Sequence, residues 1–265
     1  MTQATAVKEP SPLAVVVGDC VELSRRSLRH VTRNVDEIIQ AFVVPVVLLL
    51  MFRFLFGGAI NTGGPSYVDY VIAGVIVLSV TFNSPATAVA VANDLQNGIV
   101  ERFKSMPMFG GAVLVGHVVA AVLRSLIAVV LVIGLGLVVG FRPTAGPVEW
   151  LAVLAVLLLF IVAVAWVATL LGLVSGGVEA AGGYATILVF VPYASSALVP
   201  PETMPTALRL FVEYQPFTPV IDTTRALLLG HPAGASVWLA LAWWVPILVL
   251  TMAYAVRRFD RRTNA

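Results

Sequence analysis

The chain has 265 residues, 59% hydrophobic and only 11% charged, with a mean hydropathy of +0.97 and a net charge of +2. A soluble domain carries about 25% charged residues, so this composition excludes a water-soluble fold, and it excludes disordered and collagenous chains as well. A single cysteine, Cys20, rules out an intramolecular disulfide, and +2 is too small a charge to argue for nucleic acid. What remains is an all-α membrane protein with several spans.

The first twelve residues, Met1–Pro12, read as a flexible tail with no basic stretch leading into an apolar core, so no cleaved signal peptide is expected there. On a helical wheel, Val17, Cys20, Val21, Leu28 and Val31 fall on one side, and Asp19, Glu22, Arg25, Arg26, Arg29 and Arg33 on the other. Residues 13–34 are therefore expected to form an amphipathic helix lying in the membrane interface. Such a helix either anchors to anionic lipid or acts as a lever between a cytoplasmic partner and the first span. Cys20, on its apolar face, reads as a small hydrophobe.

About 20 apolar residues are needed to cross roughly 30 Å of hydrocarbon. Six segments qualify: Ile38–Ile60, Tyr70–Ala92, Val118–Phe141, Trp150–Val174, Tyr184–Val199 and Val237–Val256. Their apolar runs are continuous rather than alternating, which excludes a β-barrel. The six-span domain occupies residues 35–257, followed by a basic tail at 258–265. Basic residues divide ten to three between the two sides of this arrangement: Arg25, Arg26, Arg29, Arg33, Arg102, Lys104, Arg257, Arg258, Arg261 and Arg262 against Arg142, Arg209 and Arg225. Positive charge stays inside, so both termini are expected in the cytoplasm and the chain in the inner (plasma) membrane.

Within the spans, Arg53 lies about seven residues, roughly 10 Å, from the outer end of the first. It either snorkels to the surface or meets a polar or anionic substrate group at the exit. In the second span, Thr81, Asn83 and Ser84 precede Pro85. They either satisfy backbone freed by the proline and bond a neighbouring helix, or line a polar patch in a substrate path. The loop Asn93–Phe109 (NDLQNGIVERFKSMPMF) interleaves Asp94, Glu101, Arg102 and Lys104 with apolar residues. It is helix-compatible to Ser105 and stopped by Pro107, which suits docking into a groove of a soluble protein; the other reading is a solvated turn. His117 and Arg124 sit near the inner end of the third span, within reach of lipid head groups, and carry no assigned chemistry. The outer segment 200–235 is broken by prolines. Thr206–Tyr214 and Val220–Leu229 read as short helices carrying the pairs Arg209–Glu213 and Asp222–Arg225. Too short to span, they suggest a re-entrant hairpin in the outer leaflet.

The pattern Asp94-x3-Gly98-x2-Glu101-Arg102-x4-Pro107 resembles the inner loop of ABC-2 type transporter permeases, above all the daunorubicin-resistance class of exporter membrane subunits. Pro45 followed by an apolar run into Phe56-Gly57-Gly58 agrees, as does Val199-Pro200 leading through Met204-Pro205 to Pro216-x2-Pro219-x2-Asp222-x2-Arg225-x4-Gly230. Arg53 departs from the family pattern, which is apolar there. The resemblance implies an ABC-2 exporter fold, with 13–34 as its connecting helix and 93–109 as the coupling element that touches an ATPase subunit. It also implies two copies of that ATPase, which would bind ATP and Mg, and a path between two permease subunits lined by spans 1, 2 and 5.

The sequence holds no G-x-x-x-x-G-K-[ST], no H-E-x-x-H and no G-x-S-x-G, so a cofactor or catalysis in this chain is not expected. The span centres contain no Asp, Glu or His, which argues against an ion-gradient-driven secondary transporter, the alternative reading. A non-transporting membrane scaffold gives no reason for the docking-type loop. The reading is therefore an exporter subunit for a lipid, glycolipid or hydrophobic drug, paired as a homodimer or heterodimer and set among membrane lipids.

The charge division makes a topology prediction. In a Cys20→Ser background, a cysteine at Thr62 should react with an impermeant maleimide in intact cells; reaction only after permeabilisation would invert the arrangement.

Overall fold

The computed structural model describes residues 35–56, 66–98 and 111–263. The expected tail and interfacial helix (1–34, with Cys20) lie outside these residues, as do Glu101, Arg102, Lys104 and Pro107. The described residues are helical throughout, with short connections and no strand.

In chain order, α1 (Val35–Met51) runs on into a π-helical turn, Phe52–Phe56. Next come α2 (Tyr67–Phe82) and α3 (Ser84–Gln96), nearly continuous across Asn83. The long α4 (Gly111–Val139) and α5 (Pro147–Val174) follow. Then α6 (Val178–Phe190) tightens into a 3-10 turn at Val191–Ala194. The short α7 (Thr206–Tyr214) and α8 (Phe217–Leu228) precede α9 (Ser236–Thr263). Local chemistry sets several of these boundaries. Pro85 and Pro147 occupy the first turns of α3 and α5, where a missing N–H removes no helical hydrogen bond. Pro192 likewise opens the 3-10 turn after α6.

Two helix ends differ from expectation. The loop is helix-compatible to Ser105, but α3 stops at Gln96, and residues 99–110 lie outside the described residues. Asn97 donates back to the Asn93 carbonyl, and Gly98 takes a left-handed φ of 66°. That is the glycine terminator of a helix, so Gly98 closes α3 instead of sitting inside a further helix. At the other end of the chain, α9 carries Arg257, Arg258 and Arg261 on its last turns, so the basic tail begins as helix.

Among the described residues, four helical stretches are long and apolar enough to cross a membrane: Tyr67–Gln96, Val113–Val139, Pro147–Val174 and Ser236–Arg261. Val43–Leu55 and Val178–Ala194 are shorter apolar helices. The α2–α3 rod is the most enclosed, with 72% of its most apolar stretch buried, whereas α9 has 17% and lies at the edge. The hub is α5, packed on α9, α3, α8, α4 and α6.

The depth of α8 in the bundle follows from its contacts. At its start, Phe217 packs edge-on against Phe160, halfway along α5, and against Trp244, two turns into α9. Trp244 donates its indole N–H to the Pro216 carbonyl at 2.9 Å. At its end, Leu228 accepts a hydrogen bond from Thr144 in the α4–α5 connection. This helix therefore climbs from the bundle interior to one surface, the re-entrant end; the opposite, basic end carries the last turns of α3 and α9.

In hydrocarbon the hydrophobic effect does not drive helices together, so close packing must. A Cβ on Gly74 would overlap the carbonyl of Ala197, and one on Gly172 would overlap the carbonyl of Ala88. Gly134 has open space around it. Gly74→Val should therefore lower stability by about 2 kcal/mol through overpacking, read as a drop in thermal midpoint in detergent, while Gly134→Ala leaves the midpoint unchanged or higher.

Candidate functional site at the two ends of the bundle

At the re-entrant end, one guanidinium joins three parts of the chain. Arg225, on α8, donates from Nε to the Tyr70 carbonyl of α2 (3.0 Å) and from Nη2 to the Ser196 carbonyl (2.6 Å). Its Nη1 donates to Asp222 Oδ1 (2.6 Å), and its plane lies 3.8 Å over the Tyr70 ring. Tyr70 donates its hydroxyl to the same Ser196 carbonyl, Tyr67 donates to the Leu198 carbonyl, and Ser196 donates to Asp222 Oδ1. The carbonyls of Ser196 and Leu198 lie outside any helix, and this knot supplies their donors. Burial pushes the Asp222 carboxyl above the usual range and Glu202 adds to the rise; Arg225 and Ser196 pull against it without reversing it.

The knot forms one wall of a cleft of about 320 Å³, lined also by Pro200, Pro201, Glu202, Glu213 and Thr218. Pro219 is buried in the first turn of α8, and Pro216 meets Trp244. Glu213 pairs with Arg209 on exposed α7 at 2.6 Å. Leu208, Leu210, Phe211 and Tyr214 on α7 are exposed. Of the sequence-selected residues, Pro200, Asp222 and Arg225 meet at this cleft; Tyr70, Ser196 and Glu202 were not singled out. Ser196 and Glu202 act through local chain geometry, for which a linear pattern holds no signal. Tyr70 could have been flagged as an aromatic with a polar tip at a helix start.

Arg53 lies in the π-helical turn, and its Nε points to the Val139 carbonyl at 3.4 Å, the last residue of α4. A cation on a helix C-terminus is favourably placed. The structure thus gives Arg53 a protein contact.

Thr81, Asn83 and Ser84 are buried inside the bundle. Thr81 donates to the Leu78 carbonyl and Asn83 to the Ser79 carbonyl, which serves the backbone loosened at the break. Ser84 Oγ has no hydrogen-bond partner and borders a cavity of about 10 Å³ shared with Thr87 and Ser125, room for one water. Arg124, expected near lipid head groups, instead turns inward, 9% exposed, and donates to Thr87 Oγ1 at 3.0 Å. At the basic end, Asp94 in the last turn of α3 meets His117 of α4 at 2.9 Å. No group of three His, Cys, Asp or Glu side chains among the described residues could hold a metal ion.

Several long apolar helices packed into one bundle indicate a multi-pass membrane protein. The sequence profile of ABC-2 type transporters matches residues 19–229, and the chain belongs to that family. It is 30% identical over 230 residues to the daunorubicin resistance ABC transporter permease protein DrrB1 of Streptomyces coeruleorubidus, covering 86% of this chain and 81% of the relative. It is 23% identical over 232 residues to the probable doxorubicin resistance ABC transporter permease protein DrrC of Mycobacterium tuberculosis, covering 86% and 83%. The chain is thus a permease subunit of the ABC-2 kind, a class that works with ABC ATPase subunits.

The knot makes an asymmetric prediction. Removing Arg225 as alanine leaves the Ser196 carbonyl with Tyr70 alone and Asp222 with Ser196 alone, and should cost about 2 kcal/mol. Asp222→Asn keeps an acceptor for Ser196 and Arg225 and relieves a charge that burial disfavours, so it should cost no more than about 1 kcal/mol. Thermal unfolding of the two purified variants against the parent checks the order; equal losses would count against it.

Proposed function

We propose that this chain is the membrane half of an ATP-driven exporter that moves an apolar or amphipathic substrate out of the cytoplasm or the inner leaflet. The observation that carries this reading is the family match over residues 19–229. In this reading the short apolar helices Val43–Leu55 and Val178–Ala194 complete six spans, and 13–34 lies on the inner surface. Both termini face the cytoplasm, as the basic residues on the last turns of α9 suggest.

Two such subunits pair, as identical or related chains, because six spans are too few to enclose a path. Two ATPase subunits bind below them and hold ATP and Mg. The stretch carrying Gly98, Glu101, Arg102, Lys104 and Pro107 is their contact, and Asp94 at its start turns to His117 within the permease. Relatives named for daunorubicin and doxorubicin resistance favour a drug-like amphipathic substrate. The cleft beside Arg225, with Glu202, Glu213 and Asp222 in its wall, is of a size and polarity to receive the polar part of such a molecule on its way out.

The test is efflux of daunorubicin, and separately of a fluorescent phospholipid, from proteoliposomes containing the permease and its ATPase, with ATP and the proton gradient varied independently. Efflux should require ATP, stop when the ATPase loses its P-loop lysine, and ignore collapse of the gradient. Efflux that follows the gradient without ATP would overturn the reading in favour of a secondary transporter.

A further inference from the structure

Thr87 and Asp94 stand seven residues apart on α3, and His117 and Arg124 stand seven apart on α4. The helices run antiparallel, so one register brings Asp94 to His117 (2.9 Å) and Thr87 to Arg124 (3.0 Å). Two helical turns, about 10 Å, separate these rungs. Between them Val91 packs with Leu114, Val118 and Ala121 in a buried apolar seam. At both rungs α3 brings the oxygen acceptor and α4 the nitrogen. The upper rung reaches the break in the α2–α3 rod, because the Thr87 hydroxyl that accepts from Arg124 donates onward to the Asn83 carbonyl at 3.2 Å. The lower rung sits where α3 ends and α4 begins, beside a small cleft lined by Val91, Leu95, Val113, Leu114 and Phe259. His117 is well enclosed at 14% exposure, and Asp94 is at 33%.

We propose that Asp94 and His117 form a positioning pair for energy coupling. The pair fixes α3 to α4 at the basic end, so that a displacement arriving there moves both helices as one body and is taken up at Asn83. The inference rests on the ATPase-driven reading above and extends it to a contact within the permease. Without the pair, the contact left between α3 and α4 at that end, among the described residues, is the apolar seam, and a push there separates the helices instead of reaching Thr87 and Arg124. The energy of hydrolysis is then lost as local motion.

The experiment uses the full complex with its ATPase in proteoliposomes and reads daunorubicin or fluorescent-phospholipid efflux per ATP hydrolysed. Variants are compared at matched membrane abundance and matched co-purified ATPase. His117→Ala should lower that ratio by about tenfold. The exchanged variant D94H/H117D should restore most of it, because the same contact is remade in reverse. His117→Gln keeps an N–H donor for Asp94, so it should stay close to the parent and serves where the alanine variant fails to fold. A His117→Ala complex with the parental ratio overturns the proposal, and so does an exchanged variant no better than His117→Ala. A parental complex that moves neither probe with ATP overturns the exporter reading instead, which keeps the two failures apart.

Discussion

Arg225 is the constraint on which the re-entrant end depends. Segment 191–199 leaves α6 through a proline-started 3-10 turn and then has no regular structure, yet Ser195, Ser196 and Ala197 are fully or almost fully buried. Buried carbonyls without helical partners are costly anywhere and more so at membrane depth. A guanidinium has five donors in a planar fork, which lets one side chain answer two carbonyls and a carboxylate while its face lies on Tyr70. A lysine supplies neither the fork nor the stacking plane. By serving Ser196 and Tyr70 together, Arg225 fixes the start of α2 relative to α8. The aromatic trio Phe160, Phe217 and Trp244 then sets how deep α8 begins.

The interior follows a different rule. The α2–α3 rod lies in the middle because it offers small surfaces to its neighbours: Gly74 against Ala197, Ala88 against Gly172, and Ala88 and Ala92 against Ala181 and Ala185. Small residues let backbones approach, and approach is what dispersion rewards where lipid competes on equal terms with apolar side chains. Several large apolar side chains of α9, such as Trp238, Trp243 and Leu250, point outward from the bundle, while Trp244 and Phe259 turn in.

Much of the helical architecture was legible in the sequence, because a run of twenty apolar residues has few ways to satisfy its backbone in lipid. The short helices, Thr206–Tyr214 as expected and Phe217–Leu228 where Val220–Leu229 was expected, and their Arg209–Glu213 and Asp222–Arg225 pairs, were legible too, since prolines bracket them and the pairs are local. Contacts between distant residues were not. Arg124 was read as a head-group ligand because charge near a span end usually escapes to the surface; here Thr87, 37 residues earlier, offers an oxygen inside the bundle. The matching seven-residue spacings on α3 and α4 were in plain view, but spacing becomes a contact only once the antiparallel register is known. The helix end at Gly98 had a visible signal, Asn97-Gly98, that the amphipathic pattern of the following residues overrode.

Tyr70 and Asp94 lie 24 residues apart along one rod, about 36 Å if it were straight and helical throughout. The two halves of that rod are held differently. α2 is enclosed on all sides by apolar neighbours and tied at its start through Tyr67, Tyr70 and Arg225. α3 touches α6 mainly through alanines, a smooth surface with little interdigitation to resist sliding. Between them, Asn83 interrupts the helical ladder and Ser84 borders a cavity large enough for one water, so the backbone there has an alternative partner when a hydrogen bond opens. A displacement of α3 relative to α2 therefore meets the least resistance at Asn83.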